Sequence, residues 1–538
     1  MKGKAIQMVE EEPSQSEFQV LIELYGQKSF DSAFKQIEIL LKKFPKSARL
    51  RNIQGIFRIE VKQFDAAIMS FDNAIRMNPD YFQAYNNKGN ALKEEGKFET
   101  AEMNYAKALE INPAYFEAHA NLAKTRQLQG NLEGAIESYK QAINLKPESF
   151  ELHLDMAKAL TATGQLEVAV KSYRAAIKLN REHSGAHFKL SVILVELGRF
   201  KEAEAELLET IAINPGYYDA LLNLGLVQKR LGKLVEAEAN YRKALAIKPN
   251  SSEVYNNLGN TLEKQGRLKE AEASFMQAIV VNPNFAEAYS NLGALLQKLG
   301  RLEDAKTNYE KAINLNPDSN ATHLLAAITG EGQATPPAEY VEKLFDNYAS
   351  EFENSLVNTL DYQTPKILSK IILKDNSQKP LGAILDLGCG TGLAGQELRP
   401  FCDRLEGIDL SKGMLDKAAE KNIYDKLTKQ DILDYLATAV LDFNYIIATD
   451  VFNYLGNLSD VFNAIKSRKK SAGKLAFSTE YNDQDQIFLE KTGRFSHSKS
   501  YIESLCSQFE FNLRHFEIQN LRKENEVYVK GGLYLLEF

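Results

Sequence analysis

The strongest constraint on the fold is a 34-residue period that runs through the first 320 residues. Prolines recur at this spacing, with one gap of 68 residues where Arg181 stands in the expected proline position, and they lie at 45, 79, 113, 147, 215, 249, 283 and 317. An alanine recurs with the same period in all nine units, at 33, 67, 101, 135, 169, 203, 237, 271 and 305. A period of this length is typical of repeat architectures, in which each unit is one supersecondary element that packs on its neighbours.

The residues within each unit predict two short helices that pack as a hairpin. A second alanine recurs at 74, 108, 142, 176, 244, 278 and 312, and the aromatic residues three positions before it are Phe71, Tyr105, Tyr139, Tyr173, Tyr241, Phe275 and Tyr309. Small residues let the helices approach closely, and we expect the aromatic side chain to fill the space between units. Glycines at 96, 130, 164, 198, 232, 266 and 300 make the turn. Proline ends the second helix because it has no backbone N–H to donate.

This pattern resembles the tetratricopeptide repeat, from about Ser14 to Asn320 as nine units. The resemblance implies a right-handed superhelix whose concave face, lined by the first helices, binds a protein or peptide. Five asparagines occupy one position of the first helix and are candidate ligands for a peptide backbone, because an amide both donates and accepts hydrogen bonds: Asn87, Asn121, Asn223, Asn257 and Asn291. The alternative is that they are consensus residues that point to solvent.

The composition argues against several classes of partner. A net charge of -7 does not suit a protein that binds the nucleic-acid backbone, because that affinity comes from clustered Lys and Arg. The cysteines at 389, 402 and 506 have neither metal-ligand nor disulfide spacing, which fits a reducing compartment. No apolar run is long enough to span a bilayer. We therefore expect a cytoplasmic protein without a metal, membrane or nucleic-acid partner, and a disordered N-terminus at residues 1–13.

A change of pattern marks a second domain. Residues 321–337 are expected to form a capping helix and a linker, since Gly330–Pro337 contains several helix-breaking residues. The second domain is expected from residue 338, with two helices over residues 338–373. From residue 383 apolar strands alternate with helices, which predicts a parallel sheet with right-handed crossovers. The last two strands, at 511–519 and 531–538, should form an antiparallel hairpin whose turn includes Arg522–Glu526.

The segment Ala383–Gly392, AILDLGCGTG, is the clearest functional motif of this domain. A short apolar run that ends in an acidic residue and alternating glycines predicts a buried strand that breaks into a tight loop before a helix. Cofactors bind in open α/β sheets at the carboxyl end of such a strand. Glycine is required there because a side chain would hold the backbone away from the cofactor.

With this motif, residues 337–538 resemble the class I S-adenosylmethionine-dependent methyltransferases, which have a mostly parallel seven-stranded sheet with a C-terminal antiparallel hairpin. The resemblance implies a cofactor site in which Asp386 faces the cationic amino end, three glycines approach the cofactor, Asp409 binds the ribose, and two residues contact the adenine. Tyr348, in the segment FDNYASEF, is a candidate to lie over the cofactor. The glycines are Gly388, Gly390 and Gly392, and the adenine contacts are Asp431 and Ile432.

A nicotinamide dehydrogenase is the alternative, because Gly390–Gly395 also satisfies G-x-G-x-x-G. In dinucleotide sites the first glycine follows the strand directly, whereas here Gly388 and Cys389 intervene, and Asp386 would repel a pyrophosphate. Two roles have simpler alternatives as well: Asp409 as a solvated strand end and Asp431 as a helix cap.

The acceptor side is less determined. Asp450 ends the fourth predicted strand, where the methyl group and its acceptor should meet, and Tyr454, Glu480 and His497 are further catalytic candidates. His497 would take a proton near neutral pH. The chain lacks the Asn/Asp-Pro-Pro-aromatic motif of many N-methyltransferases, which leaves O-, S-, C- or other N-methylation.

The whole arrangement resembles the bacterial predicted methyltransferases that carry tetratricopeptide repeats, whose substrates are generally unassigned. It implies methyl transfer from S-adenosylmethionine to an acceptor recruited by the repeats, either a protein or peptide or a carrier-bound substrate. The alternative is an interaction scaffold whose cofactor domain no longer turns over.

Overall fold

A computed structural model describes residues 12–317, 320–330, 336–349, 352–353, 360–376, 380–484, 486–524 and 527–538. Met1–Ala220 and Leu221–Phe538 form two compact units, and the second begins inside a repeat helix. Within the described residues, no helix has both the length and the apolar character that crossing a membrane requires.

The repeats fold as pairs of helices, one pair for each predicted unit. A first helix of 12 or 13 residues is followed by a short turn and a second helix of 14 residues. The helices are α1 Gln15–Gly26, α2 Phe30–Lys43, α3 Ala48–Glu60, α4 Phe64–Met77, α5 Phe82–Glu94, α6 Phe98–Ile111, α7 Phe116–Leu128, α8 Leu132–Leu145, α9 Phe150–Ala162, α10 Leu166–Leu179, α11 Ser184–Glu196, α12 Phe200–Ile213, α13 Tyr218–Arg230, α14 Leu234–Ile247, α15 Ser252–Lys264, α16 Leu268–Val281, α17 Ala286–Lys298 and α18 Leu302–Leu315. The predicted hairpin arrangement is confirmed.

The aromatic residue of each unit packs on the first helix of the same unit. A Cβ placed on Gly89 would lie 2.6 Å from Cε1 of Tyr105, and one on Gly259 would lie 2.6 Å from Cε1 of Phe275. Both rings are fully buried. The ring therefore fills a hollow that glycine leaves on the first helix of its own unit. It also packs toward the next unit, as predicted, since Tyr105 shares a core cluster with Leu122 and Phe71 shares one with Ala91.

Three helices follow the repeats: α19 Ala321–Thr329, α20 Ala338–Tyr348 and α21 Thr364–Asp375. The helix α19 matches the expected capping helix.

The α/β domain then begins with the glycine-motif strand. Its elements are β1 Ala383–Leu387, α22 Leu393–Leu398, β2 Arg404–Asp409, α23 Lys412–Glu420, β3 Lys426–Lys429, α24 Ile432–Thr438, β4 Tyr445–Ala448, α25 Ser459–Arg468, β5 Lys474–Tyr481, β6 Ile487–Leu489, β7 Phe495–His497, α26 Lys499–Phe509, β8 Asn512–Glu524 and β9 Val527–Glu537. The order is β3-β2-β1-β4-β5 with parallel pairing, and β9 and β8 continue the sheet antiparallel beyond β5. The predicted parallel sheet with a C-terminal antiparallel hairpin is confirmed.

Two features of the sheet differ from the expectation. Strands β6 and β7 form a short antiparallel ribbon, and β7 pairs in parallel with Glu480 and Tyr481 at the end of β5. Strand β8 runs on through Glu524, so Arg522 lies in a strand where the sequence had suggested a turn. Strands β6 and β7 have only three residues each, and the end of β8 is charged. Neither segment has enough hydrophobic alternation for a strand to be predicted from the sequence.

Each face of the sheet is covered by an apolar layer. Leu385 and Leu387 pack on one side with the helices α24, α25 and α26, and Ile384 packs on the other with α21 and α22. Asp386, between the two leucines, shares the face of Ile384, because successive strand residues point to opposite faces. This register buries the carboxylate.

The end of the repeats is joined to the β6–β7 ribbon by a small core and two hydrogen bonds, one from α19 and one from α17. His323, which is 1% exposed, has Nε2 2.7 Å from the carbonyl oxygen of Gly493. Gln297 of α17 donates from Nε2 to the carbonyl of Lys491 at 2.6 Å. The apolar contacts join Ala326 and Ala327 to Leu489 and Phe495. The end of the repeats and the ribbon are therefore one packed element.

We predict that His323→Leu loosens this ribbon and that His323→Gln does not. Leucine leaves the Gly493 carbonyl without its donor, which costs about 1–3 kcal/mol for a buried group, whereas glutamine keeps an N–H. Hydrogen exchange of residues 486–497 should accelerate by about tenfold or more in the leucine variant only. His119→Leu is the matched control, because His119 makes the same kind of bond to the carbonyl of Pro113, at 3.0 Å, in the other unit. Unchanged exchange in His323→Leu would contradict the prediction.

Candidate active site

The glycine turn after β1 adopts a backbone that favours glycine. The φ angles of Gly388, Gly390 and Gly392 are +63°, +54° and +87°. A Cβ on Gly388 would lie 2.5 Å from Cγ2 of Val451, so packing also requires glycine there. On Gly390 the nearest atom to a Cβ would be Cε1 of Phe352, at 3.9 Å, so a side chain would project into open space.

That space is a cavity of about 550 Å³ at the carboxyl ends of the parallel strands. One end is formed by the turn and the residues after β2 and β3, which are Gly388, Gly390, Asp409, Leu410, Met414, Asp431, Ile432 and Leu433. The other end is formed by Tyr362, Thr449, Asp450, Val451, Asn453, Tyr454, Leu455, Arg494, Arg522 and Glu524. Helix α20 adds an apolar wall of Val341, Leu344 and Phe345. The volume is typical of sites for small organic ligands.

Asp409, the last residue of β2, holds the glycine turn. Its Oδ2 accepts a hydrogen bond from the N–H of Gly390 at 2.8 Å, and its Oδ1 accepts one from the N–H of Ser411 at 2.8 Å. Burial raises the pKa of Asp409 to about 6, and the backbone N–H groups oppose that rise. Each oxygen keeps a second lone pair for a ligand hydroxyl.

Asp386 lies inside the domain and is not among the residues that line the cavity. It is fully buried, and its Oδ2 accepts from the hydroxyl of Tyr424 at 2.7 Å. Its Oδ1 is buried without a hydrogen-bond partner among the described residues. Burial raises the pKa of Asp386 to about 7. An orphaned carboxylate oxygen beside the turn is a strong acceptor for a cationic group.

Asp431 is both a helix cap and a cavity residue. It is the N-cap of α24, and its Oδ1 accepts from the N–H groups of Leu433 and Asp434 at 2.8 and 3.2 Å. Ile432 lines the cavity beside it. Gly392 is the N-cap of α22 and lies against Tyr424, away from the lining residues. The side chain of Tyr348 is outside the described part of the chain.

Helix α20 is fixed over the strand ends by a residue that the sequence did not single out. Asp346 accepts from Oγ of Ser411 at 2.6 Å and from the N–H of Gly413 at 2.9 Å. Its carboxylate therefore sits at the N-terminus of α23, where the helix dipole favours negative charge. The only signal in the sequence was its place in the FDNYASEF segment.

A buried ion-pair cluster forms the far end of the cavity. Arg522 pairs with Asp450 at 2.8 Å, with Glu524 at 2.9 Å and with Glu480. Arg494 pairs with Glu480 at 2.6 Å and with Glu524 at 2.5 Å. Three carboxylates thus surround two guanidinium groups, and each guanidinium bridges at least two of them.

The structure brings two of the four catalytic candidates to the cavity. Asp450 adopts φ +55°, and its carboxylate is held by Oγ of Ser478 at 2.9 Å as well as by Arg522. Tyr454 lies edge-on to Phe345 with 5.2 Å between ring centroids, and burial raises its pKa to about 12. Glu480 is committed to the two arginines and does not line the cavity.

His497 lies elsewhere. It is fully buried in β7, with Nε2 2.8 Å from the carbonyl oxygen of Gly456, and it is not among the lining residues. Burial lowers its pKa to about 4, so the ring is neutral at physiological pH. The expectation of a proton acceptor near neutral pH rested on an exposed imidazole, and burial in the strand removes its basis.

Asn453 was missed by the sequence analysis. It is 1% exposed and lines the cavity, and its Oδ1 accepts from the N–H of Glu480 at 2.9 Å. Its Nδ2 has no partner among the described residues. A buried, unpartnered amide N–H on a residue that lines a cavity is a candidate donor to a ligand oxygen.

The asparagines of the repeats are joined to one another. Three of them donate from Nδ2 to the asparagine 35 residues earlier: Asn87 to Asn52 at 3.0 Å, Asn121 to Asn86 at 3.0 Å and Asn291 to Asn256 at 2.9 Å. Asn257 accepts from Nζ of Lys229 at 3.4 Å, and Asn223 occupies the equivalent place in α13. The sequence had offered peptide binding or solvent, and the structure adds a link between first helices of adjacent units.

No group of three or more His, Cys, Asp or Glu side chains able to hold a metal ion occurs among the described residues.

The buried carboxylate of Asp386 predicts a pH-dependent stability. Because its folded-state pKa of about 7 lies above the ordinary 3.8, it contributes stability that is fully present below pH 4 and is lost as the pH rises through 7. Asp386→Asn does not ionise and keeps an oxygen for Tyr424. The free energy of unfolding of the variant relative to the wild type should therefore rise by about 3 kcal/mol between pH 5 and pH 8.

Calorimetric unfolding of both proteins across this pH range tests the prediction. The control is Asp442→Asn, at an exposed position, which should leave the difference independent of pH. A pH-independent difference for Asp386→Asn would contradict the account of its burial.

Comparison with known proteins identifies both parts of the chain. Residues 378–527 match a family model described as a methyltransferase domain. Models described as tetratricopeptide repeat match residues 70–103, 154–218, 217–279 and 286–319, and one described as TPR repeat matches 89–130, 126–163 and 264–300.

Among curated proteins, an uncharacterized methyltransferase of Schizosaccharomyces pombe is 25% identical over 161 residues, which are 26% of this chain and 57% of that protein. Methyltransferase-like protein 27 of Homo sapiens is 36% identical over 86 residues, 16% of this chain and 35% of that protein. The malonyl-[acyl-carrier protein] O-methyltransferase of Halalkalibacterium halodurans is 32% identical over 126 residues, 21% of this chain and 46% of that protein. The chain thus spans about half the length of the curated relatives it matches. The chain therefore contains tetratricopeptide repeats followed by a methyltransferase domain.

Proposed function

We propose that the protein transfers a methyl group from S-adenosylmethionine to an acceptor that its repeats recruit. The observation that carries this proposal is the glycine turn at Gly388 and Gly390, which opens into a cavity of about 550 Å³ and is held by the carboxylate of Asp409. When bound, S-adenosylmethionine supplies an electrophilic methyl group on a sulfonium.

The residues around the turn suit each part of that molecule. Gly390 leaves the turn open where a side chain would project into the cavity. Asp409 offers two carboxylate oxygens to a ribose diol, and Ile432 offers an apolar surface to the adenine. Asp386 does not line the cavity, but the charge of its buried carboxylate next to the glycine turn would favour the cationic amino end of the cofactor there.

The same geometry counts against a dinucleotide. A pyrophosphate binds to backbone N–H groups of a glycine turn, but the N–H of Gly390 is already donated to Asp409 at 2.8 Å. Asp386 and Asp409 would place two carboxylates close to the phosphates. A cationic nucleoside without phosphate suits this environment better.

The protein's own side chains shape the reaction space. Val341, Leu344 and Phe345 of α20 give the cavity an apolar wall. The ion pair between Asp450 and Arg522 fixes the position of the loop after β4. Tyr454 and Asn453 extend from this loop toward the space where an acceptor would lie.

The repeats serve to bring the acceptor, either a protein or peptide or a substrate attached to a carrier. Asn87, Asn121 and Asn291 each donate one amide hydrogen to the preceding unit and keep a second for a peptide carbonyl. Asn223 and Asn257 would continue the row. The name of the Halalkalibacterium relative, a malonyl-[acyl-carrier protein] O-methyltransferase, supports a carrier-bound acceptor. We place the reaction in the cytoplasm, where the three cysteines would stay reduced.

Calorimetric titration with S-adenosylmethionine and its demethylated product tests the cofactor site. The wild type should bind both, and Gly390→Ala should lower the affinity at least about tenfold, or about 1.4 kcal/mol, because its methyl group enters the cavity. Gly266→Ala is the matched control, since Gly266 also has a positive φ, of +77°, but no atom lies within 4 Å of its Cβ position. Equal losses in both variants would trace the effect to backbone strain.

If the folded wild type releases no heat in either titration, the hypothesis of a methyltransferase is contradicted and that of an interaction scaffold is favoured.

A further inference from the structure

We infer that the methyl acceptor is a carboxylate, held at the far end of the cavity by Asn453 and Arg494, and that the product is a methyl ester. This inference rests on the proposed methyl transfer and adds the chemical class of the acceptor.

The cavity lining offers few groups that could accept a proton from the methyl acceptor. The described residues that line the cavity include no histidine, lysine or cysteine. The carboxylate of Asp450 is bound by Arg522 and Ser478. Burial tends to raise the pKa of Glu524, but Arg494 and Arg522 bring it below its ordinary value. These two carboxylates are therefore poor general bases.

The remaining groups do not replace them. Burial raises the pKa of Tyr454 to about 12 and that of Tyr362 well above its usual range, so neither phenol is ionised at neutral pH. Asp409 and Asp431 follow β2 and β3, which lie two and three strand positions from β4, or about 10 and 14 Å. An acceptor at the β4 end must therefore carry a lone pair that is available without loss of a proton.

Asn453 and Arg494 can supply hydrogen-bond donors at the β4 end of the cavity. Asn453 lines the cavity, and its Nδ2 is buried without a partner among the described residues. Arg494 uses Nε and Nη2 for Glu480 and Glu524, which leaves Nη1 for a ligand. An amide N–H and a guanidinium N–H together suit a carboxylate oxygen.

The net charge of the ion-pair cluster must also be compatible with the charges of the two substrates. Three carboxylates and two guanidinium groups leave the cluster with one excess negative charge. A carboxylate acceptor adds another, but S-adenosylmethionine has a net charge of about plus one at neutral pH, since its sulfonium and amino group outweigh its carboxylate. The two substrates together are therefore neutral, and the acceptor should bind after the cofactor.

An amine acceptor fits less well. The excess negative charge would attract an ammonium, but an ammonium has only donors and cannot satisfy Asn453 or Arg494. It must also lose a proton before it becomes a nucleophile, and the described cavity residues offer no suitable base.

A carboxylate needs no such help. One of its oxygens attacks the methyl carbon, the C–O bond forms as the C–S bond breaks, and the electron pair of the broken bond stays on sulfur. The products are a neutral ester and a neutral thioether, and no proton moves. Val341, Leu344 and Phe345 offer an apolar surface for the chain of the acid.

The test incubates the full chain with tritiated S-adenosylmethionine in a native lysate and then treats the labelled products with mild alkali. Methyl esters hydrolyse and release volatile tritiated methanol, whereas methyl groups on nitrogen, sulfur or carbon remain. We expect most of the enzyme-dependent label to become volatile. Label that resists alkali, with cofactor binding intact, would overturn this inference alone. Loss of cofactor binding by the wild type would overturn the proposed function as well.

A variant connects the result to the site. Asn453→Asp keeps an oxygen for the N–H of Glu480 but replaces the donor with a negative charge, so ester formation should fall by about 100-fold. Binding of the demethylated cofactor, measured by calorimetry, should stay within about twofold of the wild type. Asn457→Asp, at an exposed position outside the cavity lining, is the control and should retain full activity. Ester formation unchanged in Asn453→Asp would contradict the assigned role.

Discussion

The hydrogen bond from the N–H of Gly390 to Asp409 is the interaction on which the cofactor end of the site depends. It joins the turn after β1 to the last residue of β2, two strands that run in parallel register from Ala383 and Arg404. The turn can approach the carboxylate because Gly388 and Gly390 occupy the left-handed region of the backbone. The same contact occupies the N–H that a pyrophosphate would need. One bond therefore fixes the shape of the turn and favours a cationic ligand over a dinucleotide.

The opposite end of the cavity depends on a different constraint. Arg522 and Arg494 are buried among three carboxylates, and removal of one partner from such a cluster leaves an uncompensated charge that costs about 3–5 kcal/mol. Arg494 lies one residue after Gly493, whose carbonyl is bound by His323 of α19. The helix that follows the repeats thus contacts the loop that carries a residue of the cavity. The repeats and the far end of the cavity share a physical connection through the β6–β7 ribbon.

The sequence was most informative where a period or a motif has one structural solution. The 34-residue spacing predicted the helix pairs, and AILDLGCGTG predicted both the buried strand and its turn. Asp409 and Asp431 were proposed as cofactor contacts because they occupy the positions that the family resemblance assigns after the second and third strands, and both line the cavity. The ion-pair cluster was not predicted, because Arg522 and Glu524 have the sequence of a polar turn and become strand residues only when β8 pairs with β9. Their partners come from the loop after β4, from β5 and from the loop before β7, and a local pattern contains no information on such distant contacts.

Burial explains the other differences. The sequence shows that His497 has an imidazole, but not that the ring is enclosed beside Gly456 with a lowered pKa. It likewise shows a row of asparagines, but not that three of them donate to an asparagine of the preceding unit. The imidazole of His497 and the amides of these asparagines therefore make structural contacts.

A crystal structure of the full chain with the demethylated cofactor, S-adenosylhomocysteine, would show whether the glycine turn binds this nucleoside. We expect the ribose hydroxyls to bind Asp409, the amino group to point toward Asp386 and the adenine to pack against Ile432. An empty turn at saturating ligand, or a nicotinamide dinucleotide with its pyrophosphate across Gly388 and Gly390, would contradict this expectation.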